Sequence, residues 1–164
     1  MEPRLNLMTN PLGTKVGKRV YSVNLAIQEA SLPKSLLELV ELRVSQINGC
    51  GWCVDVHTQE AARAGEAALR INLVAAWRES TVFTDAERAA LALAEEGTRI
   101  ADAHLGVSDE TWARVREHYD DDQTAALISA VAMINAANRF SVITRMQGGT
   151  YDPAAFAALA TDGA

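Results

Sequence analysis

Alanine, Leu, Glu and Arg dominate the middle and end of this chain, and the β-branched alternation of a half-buried strand is nearly absent. These are strong helix formers, because they lose little side-chain freedom in a helix. Aromatic residues are only 5% of the 164, so alanine and leucine must build most of the core. The pattern predicts an all-α fold of six to eight helices.

Capping residues and breakers place those helices. Pro3, Pro11 and Gly13 predict an irregular lead-in. A first helix is expected over 16–30, with Val20, Val23 and Ile27 on one stripe and Lys15, Lys18 and Arg19 on a solvated face. A second is expected over 33–47, with Ser31 as N-cap and Pro33 in the first turn. Leu36, Leu37, Val40, Val44 and Ile47 recur there at helical spacing, while Leu39 and Leu42 lie on other faces. Such a helix is buried on most sides. Asn48-Gly49 ends it, since both residues tolerate a left-handed conformation. Further helices are expected over 50–64, ended by Gly65, over 66–77, and from the capping box Thr84-Asp85-Ala86-Glu87 to Ala103. The last two run over 109–119 behind Ser108 and over 122–146 behind Asp120, Asp121 and Asp122, with Val107 and Trp112 set as a hydrophobic staple. No composition shift, low-complexity stretch or repeat divides the chain, so a single domain over 1–164 is expected.

The net charge of -6, from 15 Lys+Arg against 21 Asp+Glu, argues against a broad nucleic-acid surface. No apolar run approaches the roughly 20 residues of a membrane helix. Met1-Glu2-Pro3-Arg4 lacks the apolar stretch of a signal peptide. Neither nucleic acid nor a membrane is expected as a partner, and a cytoplasmic location is. Two cysteines are too few for a disulfide-stapled scaffold.

Those two cysteines are not scattered. They lie in Cys50-Gly51-Trp52-Cys53-Val54-Asp55-Val56-His57, a C-x-x-C-x-x-x-H pattern. On a helix, Cys53 and His57 are four residues apart and share a face, and Cys50 neighbours Cys53. A helix N-terminus stabilises an anion, so a thiolate in its first turn has a lowered pKa. His57 can take the thiol proton as a general base. The spacing also permits a Cys50–Cys53 disulfide. The segment therefore offers a nucleophile, a base and a resolving thiol.

Blander readings compete with this one. Buried cysteines can be inert. A structural zinc site needs four ligands, and Cys50, Cys53 and His57 supply three, with His104 and His118 at no ligand-like spacing. A thioredoxin-like site would put C-x-x-C after a strand, whereas a helix pattern precedes it here. Glu38 adds a second signal. This acid lies inside the apolar helix before the motif, where a carboxylate is usually paired. It can orient His57 or relay its proton, and Glu41, one turn on, can do the same. Asn138 and Arg139 interrupt the apolar last helix, and a buried arginine there would call for a carboxylate partner.

Glu38, Cys50, Cys53 and His57 together read E-x11-C-x-x-C-x-x-x-H. This resembles the signature of alkylhydroperoxidase D (AhpD)-like proteins of the carboxymuconolactone decarboxylase superfamily. Leu36 to Arg43, Ser45 to Cys50, Ala76-Trp77-Arg78-Glu79 and Ile134 to Arg139 are similar to the family core, so the resemblance spans roughly 33–145. It implies an all-α fold assembled as trimers, hexamers or similar rings, and a thiol peroxidase activity. Cys53 would be the peroxidatic nucleophile, Cys50 the resolving cysteine, His57 the base and Glu38 its supporting acid. No metal, flavin or other cofactor is implied. An external dithiol would restore the enzyme, and the family's familiar reductant is a dihydrolipoyl group on a partner protein.

Two positions depart from the family pattern. Trp52 stands where the namesake enzyme has a second histidine, and Ala137 stands where many relatives carry a larger aromatic residue. The first removes a member of the proton relay. Trp52 is expected to pack into the core or a subunit contact rather than shape a peroxide pocket. Three other functions compete with the peroxidase: a general thiol–disulfide oxidoreductase or redox sensor, a lactone decarboxylase, which needs no C-x-x-C pair, and a non-enzymatic binding protein.

Overall fold

The computed structural model describes residues 2–103 and 106–154. Among these, seven α-helices and one 3₁₀ segment are present and no strand, as the composition predicts. They are α1 (Pro11–Glu29), α2 (Lys34–Asn48), α3 (Gly51–Arg63), α4 (Ala68–Leu73), the 3₁₀ segment Val74–Glu79, α5 (Asp85–Thr98), α6 (Asp109–His118) and α7 (Asp121–Thr144).

Most boundaries follow the caps. Thr84 and Glu87 form the expected capping box, and Ser108 accepts a hydrogen bond from the Thr111 amide. Asp120 caps α7 and closes a second capping box with Gln123. Gly49 ends α2 at φ 66°, the left-handed cap that Asn48-Gly49 foretold.

The single stretch expected over 66–77 is divided into α4 and the 3₁₀ segment, with Ala76 out of helical conformation. Three helix ends also differ from the sequence reading. Helix α1 begins at Pro11, because Asn10 caps it and the missing proline N–H costs nothing in a first turn. Ser31 does not cap α2. Pro33 takes that position, and Ser31 instead accepts hydrogen bonds from the Gln123 side chain on α7. Helix α5 stops at Thr98 rather than Ala103, and the chain turns through an Asp102 N–H to Arg99 carbonyl bond.

Helix α2 is the axis of the bundle and lies against α3, α5 and α7. Leu36, Leu37, Val40 and Val44 enter one core with Cys50, Cys53, Ala90, Leu93, Leu127 and Ile134. On its other side, Leu39 and Leu42 join Ala61, Ile71, Val74, Trp77, Phe83 and Leu91. Burial on both sides, expected from the sequence, makes α2 rigid. Each fully buried leucine contributes about 1.5–3 kcal/mol. Helix α1 is different, since Ile27 is its only buried residue and Val23 is exposed.

Helix α7 corrects the estimate of apolar runs. Its best 18-residue window has a mean hydropathy of 1.5, enough by length and composition to cross a membrane. Polar residues such as Ser129 and Asn135 interrupt the run, but its Ala, Ile, Leu and Val residues keep the mean high. In the bundle, α7 packs against α1, α2, α3 and α5 as a core helix.

Candidate active site

The site forms where the end of α2 meets the start of α3. Cys50 is the N-cap of α3, and its sulfur accepts the Cys53 amide at 3.2 Å. Cys50 and Cys53 are joined as a disulfide with a Cα–Cα distance of 5.3 Å. They are 1% and 4% exposed, so only a small molecule or a slender arm can approach the sulfurs. One turn further, His57 points at α2. Its Nδ1 is 2.8 Å from Glu38 Oε2 and 3.3 Å from Glu41 Oε2. The two carboxylates the sequence left as alternatives thus both engage the imidazole.

The electrostatics follow from burial and charge. Desolvation pushes the Glu41 carboxyl up to about 7, with the Glu38 charge adding to the rise and His57 and Lys34 opposing it. For His57, burial works against the charged form. The charges of Glu41 and Glu38 and the Glu38 hydrogen bond outweigh it and hold the imidazole above its ordinary range. With Nδ1 committed to carboxylates, Nε2 is the nitrogen left for a thiol proton. An imidazole backed by carboxylates one helical turn from a cysteine is the kind of group that serves as a general acid–base.

Glu38, Glu41 and His57 are the set whose possible ligand atoms lie within 4.8 Å of one another among the described residues. Three donors fall one short of a closed structural zinc site, and the cysteines that could have joined them are tied to each other. A hydrogen-bonded acid–base group accounts for the same geometry. His118 is exposed, and His104 lies outside the described residues.

Two features of the surroundings were not read from the sequence. The stretch 148–151 lies along the start of α3. Asp55 Oδ2 accepts the amides of Gly149 at 2.7 Å and Tyr151 at 3.0 Å. A hydrogen bond from the Gln59 side chain, helped by these amides, holds the Asp55 carboxyl below its ordinary range. The Tyr151 hydroxyl donates to Glu60 at 3.0 Å, and its ring meets Trp52 edge-on with centroids 5.8 Å apart. Trp52 therefore packs, as expected, against this stretch and the core. No local pattern around Gly148-Gly149 signals that contact.

The second feature is Glu95 on α5, which is 6% exposed. It takes Arg43 at 2.6 Å, Arg78 at 3.0 Å and the Trp77 indole N–H at 3.0 Å. Burial raises its pKa, but the hydrogen bonds from Arg43 and Trp77 prevail and lower it. Glu95, the first of an adjacent Glu95-Glu96 pair, lies four residues past the buried Leu91 and so on its face, and that spacing was a readable signal. The Ala76-Trp77-Arg78-Glu79 stretch, similar to family text, is thus partly structural.

The arginine expected to be buried in the last helix is corrected. Arg139 is exposed and donates to the Asn135 carbonyl, with no carboxylate partner among the described residues. Asn138, its neighbour, is the buried group. It accepts from Asn48 at 2.8 Å and donates to Ser45 at 3.1 Å, tying α7 to the end of α2 just before Cys50.

The chain is similar to known proteins over most of its length. The model of the Carboxymuconolactone decarboxylase family matches residues 15–96. The uncharacterized protein YdfG of Bacillus subtilis is 41% identical over 115 residues, covering 70% of this chain and 77% of YdfG. A protein of unknown function from Agrobacterium tumefaciens, a candidate antioxidant defence protein AhpD, superposes with a TM-score of 0.83 at 33% identity, over 92% of this chain and all of that one. The debrominase Bmp8 has a TM-score of 0.74 at 19% identity, over 93% of this chain and 80% of its own, a likeness of fold.

Proposed function

The chain belongs to the carboxymuconolactone decarboxylase family, and from that premise we propose that it is a thiol-dependent peroxidase acting on organic hydroperoxides. The observation that carries this reading is the Cys50–Cys53 disulfide capping α3, with the His57–Glu38 pair one turn behind it. His57 takes the Cys53 proton, and the thiolate attacks the O–O bond. The near oxygen stays on sulfur as sulfenic acid, and the far oxygen leaves with the proton as an alcohol. Cys50 then condenses with the sulfenic acid, releasing water and forming the disulfide. An external dithiol, of the lipoyl type, takes two electrons' worth of oxidation from the disulfide by exchange and regenerates both thiols. The protein supplies this chemistry without a resident cofactor or metal. A ring-like homo-oligomer is part of the same reading.

Burial of both sulfurs favours a small peroxide over a folded protein disulfide as the oxidising substrate. It also favours a slender reductant. The C-x-x-C pair distinguishes this chain from a lactone decarboxylase, whose chemistry does not call on it. The test is stopped-flow reaction of the reduced protein with cumene hydroperoxide and hydrogen peroxide, counting thiols before and after. The expected result is rapid loss of both thiols with one equivalent of peroxide, abolished in Cys53→Ser. Survival of both thiols in excess peroxide overturns the reading. Response to a dithiol couple alone would make the protein a general thiol–disulfide oxidoreductase or redox sensor.

A further inference from the structure

We propose that Glu41 is a positioning residue of the site that shares with Glu38 the proton on His57 Nδ1, so that one proton is stored on a carboxyl–imidazole–carboxyl group. This deepens the peroxidase reading and rests on it.

The geometry carries the argument. Both carboxylates stand one turn apart on the rigid helix α2, and one oxygen of each lies within 3.3 Å of the same nitrogen. The side chains of His57, Glu38 and Glu41 are 14%, 9% and 15% exposed. Two ionised carboxylates around one imidazolium leave a net negative charge in a mostly dry site, which is costly. One more proton makes the group neutral. The charged and titratable groups facing the imidazole decide where it rests. Glu41 and Glu38 from α2 and Glu60 from α3 act on the imidazole, Lys34 acts on Glu41, and Tyr151 of the C-terminal stretch interacts with Glu60 and Glu38. Lys34 is committed to Glu60 at 3.1 Å, and the Tyr151 hydroxyl donates to the same acid. Lys34, the cation that acts on Glu41, is thus shared with Glu60, and burial already favours the protonated form of Glu41. Glu38, at the shorter distance, keeps the imidazole oriented.

The store has a use in turnover. At rest Glu41 carries the stored proton and the imidazole is neutral, with its Nδ1 proton toward Glu38. The Cys53 thiol gives its proton to Nε2, and the imidazolium, facing one ionised carboxylate and one neutral carboxyl, leaves the group uncharged. The thiolate then breaks the O–O bond, and the departing alkoxide takes the Nε2 proton, which restores the neutral imidazole. The sum is thiol plus hydroperoxide giving sulfenic acid plus alcohol, with Glu41 keeping its proton throughout.

The test is an NMR titration of the His57 ring in the oxidised, EDTA-treated protein, comparing wild type with Glu41→Gln. The wild type is expected to titrate in two steps, because protonation of Glu41 is felt at the ring. Glu41→Gln is expected to titrate in one step, with the midpoint lower by about one pH unit or more, since an opposite charge beside the ring is lost. If Glu41→Gln does not fold, Glu41→Asp, which keeps the charge but sets it farther from Nδ1, is expected to keep two steps and to show a smaller downward shift. An unmoved His57 midpoint in a folded variant overturns the proposal. A merely structural Glu41 would lower stability without moving that midpoint. The titration involves no peroxide, so it is separable from the peroxidase reading, which fails if reduced wild type shows no peroxide-driven thiol loss.

Discussion

The backbone of Gly148 rests on the carbonyl of Gly51, the residue between Cys50 and Trp52. A Cβ at position 148 would collide with the Gly51 oxygen and come within 2.9 Å of its carbonyl carbon. The C-terminal stretch is thereby laid along the two residues that separate the cysteines. Asp55 and Glu60 hold it from the same helix.

Gly148→Ala should lift this stretch off α3. Overpacking of this kind costs about 1–3 kcal/mol. Amide exchange at Gly149 and Tyr151 should accelerate, and tryptophan fluorescence should change as Trp52 loses its ring contact. Unchanged exchange at both amides would mean that the stretch is held without Gly148.

Glu95→Ala should be among the most destabilising single changes in the bundle. It leaves Arg43 and the Trp77 indole without their acceptor, and breaking a buried pair typically costs about 3–5 kcal/mol. Urea unfolding measures this, as a lower midpoint with an unchanged slope. The pH dependence has a definite sign. Because the folded pKa of Glu95 is lowered, its stabilisation is full above the unfolded carboxylate value of about 4.3 and is lost as pH falls below it. The variant should therefore lose less stability between pH 5 and pH 3 than wild type, by roughly the shift of one group.

Cys50→Ser should trap the first intermediate. Without a resolving thiol, Cys53 sulfenic acid persists and adds dimedone, and excess peroxide drives it to sulfinic acid. Mass spectrometry reads both products. Cys53→Ser should give neither, and a dimedone adduct on Cys50 would reverse the assigned roles.

His57→Ala should slow the peroxide-driven loss of Cys53 thiol about 10²–10⁴-fold at neutral pH, the usual contribution of general acid–base help. Glu38→Gln, which keeps the shape but removes the charge, should show a smaller loss with the same sign. Stopped-flow rates for the three proteins provide the check. Equal rates would remove the acid–base pair from the mechanism.

Local information in the chain went far. Thr84, Ser108 and Asp120 announce helix starts, and each side chain accepts the expected amide. Leu39 and Leu42, off the main stripe of α2, foretold its two buried faces. Cys50, Cys53 and His57 share one helix, so backbone geometry alone sets their neighbourhood. Pro11 and Ser31 were harder. Proline both breaks and begins helices, and a serine can be claimed by a distant side chain, here Gln123 on α7.

What the sequence determined by itself was whatever depends on residues within about one turn of each other: the helical class, the caps, and the dithiol beside an imidazole. Only the tertiary structure decided which distant groups meet. Whether Glu38 or Glu41 reaches His57 depends on how α2 lies against α3, and the answer is both. The meeting of Tyr151 with Trp52, and of Glu95 with Arg43 and Trp77, depends on packing between helices far apart in the chain. Hydrogen bonds along a helix are fixed by sequence spacing, whereas contacts between helices are chosen by how the whole apolar surface can be buried at once.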